Sequence, residues 1–181
     1  MNRNDALGLV QEKVSSPQLR THMLATEACM AALARRLGQD ESLWAQAGLV
    51  HDLDMEEVGG DPERHGLVAA ETLRGLGFAE EFVHAVAVHT GRGERVSLLD
   101  KALWAVDPTT GFIMAAVLVV PSRKLADLQV SSIKKRMKDK RFALAVNRDQ
   151  IRSCSDLGLE LDEFLDICLT AMRAIAADLG F

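Results

Sequence analysis

An apolar run of helical character, ESLWAQAGLV, leads straight into the dipeptide His51–Asp52. Groups of the same chemistry stand around it in order: His22 upstream, then His65, His89 and Asp107 downstream. Imidazole and carboxylate are the side chains with which proteins hold divalent transition metals. A fold that gathered these positions would build a metal site able to activate water. A His-Asp pair alone is common. The ordered set is far more restrictive, because each member stands near a helix end or on an apolar helix face.

The helices are read from caps and periodicity. Ser16–Pro17 starts one, with serine as N-cap and proline where its missing N–H costs nothing. Leu19, Met23, Thr26, Met30, Leu33 and Leu37 form its apolar stripe, Gly38 ends it, and His22 lies beside the stripe. Asp40 caps the next helix, on which Trp44, Ala47 and His51 share a face. Asp61–Pro62 is expected to start another, carrying His65, Val68, Ala69, Thr72 and Leu76 on one face up to Gly77. A further helix is expected from about Ala79 to Thr90, with Phe82, Val86 and His89 aligned. The next runs from Ser97 to Asp107, where Pro108 is expected to terminate it. A separate buried helix, GFIMAAVLVV, follows, then a break at Pro121–Ser122, a basic helical stretch, a helix from about Arg148, and a final amphipathic helix. The chain has no tyrosine and few strand-type runs. The reading is therefore an all-α bundle in one domain, with residues 1–120 as the metal-binding core and 121–181 as a basic helical extension packed on it.

Charge is uneven. Pro121 to Arg152 holds ten Lys/Arg against three Asp/Glu in a chain of net charge −5. Arg123 and Lys124, after the proline turn, are expected to meet a substrate phosphate at the mouth of the metal pocket. The competing reading is a solvated helix face. Only Phe142 interleaves the lysines, which argues against single-stranded nucleic acid as the ligand. Asp54, Glu56 and Glu57 form an acidic loop read as a solvated turn, with orientation of a metal ligand as the alternative. His84 lies about 140° around its helix from His89 and is expected outside the site. Asp52 and Asp107 are both expected at helix C-termini, where the dipole costs a carboxylate about 0.3–1 kcal/mol unless a cation is near. On that ground, removing the charge of Asp52 from metal-free protein is expected to be neutral or stabilising. Three unpaired cysteines, no apolar signal core, and no run of the roughly 20 apolar residues a membrane span needs lead to an expectation of a cytoplasmic protein.

The pattern resembles the HD-domain superfamily of metal-dependent phosphohydrolases, its HDIG-type branch in particular, over roughly residues 17–110. The early His, the His-Asp pair and the late Asp of that family map onto His22, His51, Asp52 and Asp107. His65, in PERHGLVAAETL, and His89, in HAVAVHTG, match the additional histidines of binuclear members. The chain departs from the family where Asp54 replaces the usual glycine and where Thr90 replaces a second adjacent histidine. No GYP element follows, and the acidic pair is offset from the alarmone-hydrolase arrangement; both points argue against those two activities. The resemblance implies one or two divalent ions (Mn, Fe, Co, Ni or Zn), with His51 and Asp52 at the catalytic centre and Asp52 bridging. It also implies hydrolysis of a phosphate ester of a nucleotide or similar small molecule. The alternative is a non-catalytic module of the same fold that binds a ligand or partner.

Overall fold

The computed structural model describes residues 2–181, and among these the chain forms nine α-helices and no strand. The first, α1 (Arg3–Lys13), is one the periodicity does not announce, since it buries only Ala6 and Val10. A capping box starts it, in which Asn2 and Asp5 satisfy each other's backbone N–H. The next two helices follow the caps. Ser16 Oγ accepts from Leu19 N at the head of α2 (Pro17–Leu37), and left-handed Gly38 closes it. Asp40 accepts from Leu43 N at the head of α3 (Glu41–Val50).

Helices α2 and α3 press together at Gly48. A β-carbon there would sit 2.7 Å from the carbonyl oxygen of Thr26 and 2.9 Å from the amide of Glu27. Only glycine allows that approach. Thr26 is one turn from His22 and Gly48 one turn from His51, so the backbone contact seats the two imidazoles beside each other.

Two expectations fail, each for a local reason. The helix expected from Asp61 makes a single turn, closed by His65 N–H to the Asp61 carbonyl, and stops. Gly66 has φ 81, and a β-carbon on it would lie 2.9 Å from Thr90 Cγ2 and 3.1 Å from the Val86 carbonyl. The regular helix, α4 (Leu67–Gly75), begins beyond it. His65 is therefore carried on a turn pressed against the end of α5 (Glu80–Val88).

The second failure is at Pro108. Residues 98–118 form one unbroken helix, α6 (Leu98–Leu118), with Pro108 inside it and Asp107 near its middle rather than at a C-terminus. A mid-helix proline leaves the carbonyl four residues earlier without a partner. Here that carbonyl belongs to Trp104, and Gln150 Nε2 donates to it at 2.9 Å. The donor comes from α8 (Arg148–Arg152), so the C-terminal segment supplies what the proline removes.

That segment also holds α7 (Val130–Lys138) and α9 (Leu161–Ala174). Phe164, Leu165, Cys168, Leu169 and Met172 of α9 are buried, and α9 packs against α2 and α6 in one continuous core. Cys29, Cys154 and Cys168 are buried free thiols, and burial pushes Cys154 up to about 11. Among the described residues no helix is long and apolar enough to cross a membrane.

Candidate metal centre

Four imidazoles converge from four places: His22 from the second turn of α2, His51 from the end of α3, His65 from the turn before α4, and His89 from the end of α5. In each, Nδ1 is held by the protein. His51 donates to the Gly48 carbonyl at 2.8 Å and His89 to that of Val86 at 2.6 Å. His65 donates to Asp54 Oδ1 at 2.8 Å. His22 Nδ1 lies 3.1 Å from Thr110 Oγ1, whose own proton goes to the Asp107 carbonyl. With every Nδ1 occupied as a donor, every Nε2 carries its lone pair inward.

The inward atoms meet two carboxylates. Asp52 Oδ2 lies 3.3 Å from His51 Nε2 and 3.6 Å from His22 Nε2. Asp107 Oδ1 closes that half, 3.1 Å from His22 Nε2 and 3.8 Å from His51 Nε2. The other oxygen, Asp52 Oδ1, faces the remaining pair, at 3.3 Å from both His65 Nε2 and His89 Nε2. Asp52 thus stands between two halves and presents one oxygen to each.

The set fits a metal. Ligand atoms held at about 2.1 Å from a common ion lie about 3.0 Å apart in an octahedron and about 3.4 Å apart in a tetrahedron. The separations to the two carboxylates fall around those values, and two trios, His22–His51–Asp107 and His51–Asp52–His89, each bring one ligand atom apiece within 4.8 Å of the others; His65 joins neither trio and reaches the centre through Asp52 Oδ1. His89 Nε2 is enclosed and has no hydrogen-bond partner. An orphaned buried acceptor aimed at carboxylate oxygens is costly unless a cation lies between them.

Without a metal, protons take that role. Burial opposes charging His51, yet the charge of Asp52 and the hydrogen bonds of Asp107 and Asp52 leave its pKa raised. Burial likewise opposes charging His65, but its bonds to Asp52 and Asp54 raise it to about 9. Burial would raise Asp52, but His51, with help from His65 and His89, holds it well below the usual carboxylate range. Asp107 is also lowered, by His22 and His51 acting against burial. The dipole argument for Asp52 is thereby overridden: three imidazoles, His51, His65 and His89, outweigh one helix end.

The acidic loop divides. Asp54 is buried at 1% exposure and spends its oxygens on His65 Nδ1 and the Ala69 amide, so it is not a solvated turn residue. Glu56 accepts from the Ser15 and Ser16 amides, and Glu57 pairs with Lys13; both tie the loop to the α1–α2 corner. His84 is outside the centre, against Asp100 at 3.1 Å.

Arg123 and Lys124 are not brought to the centre. Both are exposed in the turn beyond α6. At 1.5 Å per residue, the end of that helix lies about 16 Å along its axis from Asp107. Asp54 takes the orienting role that the sequence offered as the alternative to a solvated turn; Thr110 was not legible as a contributor, though its hydroxyl falls one turn past Val106 and beside Asp107 on α6.

Comparison with known proteins agrees with this geometry. The HD domain family model matches residues 19–111, a span containing all six of these histidines and aspartates. A Ribonuclease Y of Cutibacterium acnes is 31% identical over 91 residues, covering 50% of this chain and 17% of that protein. A Ribonuclease Y of Desulfotalea psychrophila is 27% identical over 150 residues, covering 79% of this chain and 28% of that protein. The chain thus spans less than a third of the curated relatives it matches. No solved structure gives a significant match.

Proposed function

The chain belongs to the HD domain family, and on that premise we propose that it is a metal-dependent phosphohydrolase cleaving a phosphate ester of a nucleotide or similar small molecule. One observation carries the reading: Asp52 offers each of its two oxygens to a separate set of imidazoles, 3.3 Å away on both sides. That is the disposition of a carboxylate bridging two ions. His22, His51, Asp52 and Asp107 would hold one, and His65, His89 and Asp52 the other. Mixed nitrogen and oxygen donors favour Mn, Fe, Co, Ni or Zn over Mg.

A divalent ion held there supplies Lewis acidity toward a phosphoryl oxygen and lowers the pKa of water toward about 7. The remaining work belongs to the chain. The Gly48 and Val86 carbonyls, Asp54 and Thr110 fix the imidazole tautomers, so the donor atoms do not reorganise during reaction. Burial of His51, Asp52 and His89 excludes bulk water from the floor of the centre. The partial exposure of His22 and His65, 18% and 14%, together with that of Asp107, supports substrate entry from that side.

The names of the two relatives add a specific second substrate class, an RNA phosphodiester, to the small esters. The test is metal analysis of protein purified without added metal, followed by a panel of nucleoside monophosphates, other small phosphate esters and a short oligoribonucleotide. One to two transition-metal equivalents per chain, with hydrolysis of a panel member that Asp52→Asn abolishes, is the expected result. Metal-loaded protein that hydrolyses nothing on the panel would leave the fold as a binding module.

A further inference from the structure

Six arginines are partly buried, and five of them are spent. Arg20, Arg92, Arg136, Arg148 and Arg173 each donate to backbone carbonyls. Arg95 does not. Its guanidinium carbon lies over the ring of Trp104, 4.2 Å from the centroid, and Nη1 is fully enclosed with no hydrogen-bond partner among the described residues. Stacking on indole offsets part of the cost of desolvating the cation but leaves its N–H groups unpaired.

The location gives this meaning. Trp104 precedes Asp107 by three residues on the same partly exposed face of α6, about 4.5 Å along the axis. Its ring packs on Gly91, two residues past His89, where a β-carbon would come within 3.1 Å of it. Between them stands Thr90, whose methyl packs on Gly66 beside His65 and whose Oγ1 is also enclosed without a partner. Two unspent donors therefore occupy one loop between the turn that carries His65 and the helix that carries Asp107. Arg92, on the same loop, is committed to the Pro62 and Glu63 carbonyls and does not compete.

We infer that Arg95, stacked on Trp104, forms with the Thr90 hydroxyl an anion subsite beside the metal centre that receives phosphate oxygens of the substrate. The planar fork of a guanidinium held over an indole carries several N–H groups in one plane, which suits two phosphate oxygens at once. The inference rests on the phosphohydrolase reading and adds to it a binding element outside the metal ligands.

The test is calorimetric titration of inorganic phosphate into metal-loaded protein, with metal content and melting temperature measured in parallel. Arg95→Met keeps the apolar stem over Trp104 and removes the donors; it should raise the phosphate Kd about ten- to hundredfold. Metal content and melting temperature should not change. Thr90→Val should raise Kd severalfold, and Arg95→Lys should fall between wild type and Arg95→Met. An unchanged Kd in Arg95→Met overturns the subsite and leaves the hydrolase reading intact. Loss of metal from Arg95→Met also overturns it, by making the residue a support of the centre. Wild-type protein that holds metal but no phosphate overturns the subsite too, and the hydrolase reading falls with it only if the ester panel is also blank.

Discussion

The chain concentrates ionisable side chains in two places, and they behave in opposite ways. Around Asp52, four imidazoles and two carboxylates aim their free atoms at one another, with every other polar atom of the histidines tied down by the protein. Between residues 121 and 152 the cations are more numerous but do not converge. Arg148 donates to the carbonyls of Phe142, Ala143 and Val146, Lys134 pairs with Asp162, and Arg152 pairs with Asp149. Density of charge marks a segment that must stay solvated or cap its own turns. A site is marked instead by groups whose remaining valences point at a shared, enclosed space. The same criterion picks out Arg95, which is isolated in sequence, over the cluster of Lys and Arg that stands out by composition.

The sharpest way to break this contrast is Asp52→Asn. It should remove metal from both halves and cost activity more than the 10–100-fold typical of losing an outer hydrogen-bond partner. Metal-free protein at pH 6 should also lose about 3–5 kcal/mol, because the counter-charge to a buried, protonated His51 is gone. Chemical denaturation of the metal-free variant measures this. A neutral or stabilising outcome would restore the helix-dipole argument and weaken the claim that the imidazoles act on this carboxylate as one unit.

The next effect is in pH. In metal-free protein His65 is raised from its ordinary 6.5 to about 9 by Asp52 and Asp54, against burial. A raised histidine contributes stability that is complete below its unfolded pKa and lost as pH passes the folded one. Metal-free protein should therefore lose on the order of 3 kcal/mol between pH 6.5 and 9. Metal-loaded protein should bind its ions more tightly over the same range, since metal displaces the proton. Denaturation midpoints across this window, with and without chelator, should move in opposite directions. Asp54→Asn should flatten the metal-free profile and lower metal affinity at the His65–His89 half about 10–100-fold, with the His22–His51–Asp107 half retained.

Much of this was legible in the sequence, for physical reasons. Caps are local: Ser16, Asp40 and Ser97 start helices where their side chains can reach the N3 amide, and they do. The order of the histidines and aspartates needed no geometry to be noticed. What stayed hidden is non-local. Pro108 stops a helix unless something replaces its missing hydrogen bond, and the replacement comes 42 residues later in sequence from Gln150. Asp54 reads as solvated because its neighbours Glu56 and Glu57 are; only the turn at Gly66 closes over it. The burial of Arg95 depends on Trp104 meeting Gly91, a contact no periodicity encodes.

Gln150→Leu probes that hidden layer with a smaller effect. It leaves the Trp104 carbonyl unpaired in a half-buried place, which should cost about 1–3 kcal/mol of stability. Because Trp104 and Pro108 flank Asp107, the variant should also weaken metal at the Asp107 half more than at the His65–His89 half. Gln150→Arg, which can still donate, should recover both. A loss of stability with metal binding untouched would confine Gln150 to helix repair.

The smallest effect is expected at Arg123 and Lys124, and it tests the comparison from its other side. Composition makes this pair the natural phosphate clamp, since it follows a proline turn in the most basic part of the chain. The structure puts it in the turn beyond Leu118, where α6 ends about 16 Å along its axis from Asp107, and leaves both side chains in solvent. Charges so exposed and so distant are screened, with a Debye length of about 8 Å at physiological salt. Arg123→Ala and Lys124→Ala, singly and together, should keep kcat/KM within about twofold and shift stability by less than about 0.5 kcal/mol. Arg123 holds φ 53, which strains any side chain, so Arg123→Gly should stabilise slightly while leaving kinetics alone. A tenfold fall in kcat/KM for the double alanine variant, with Arg95→Met unchanged, would invert the assignment: the basic segment would reach the centre, and convergence in the free protein would be the wrong guide to where phosphate binds.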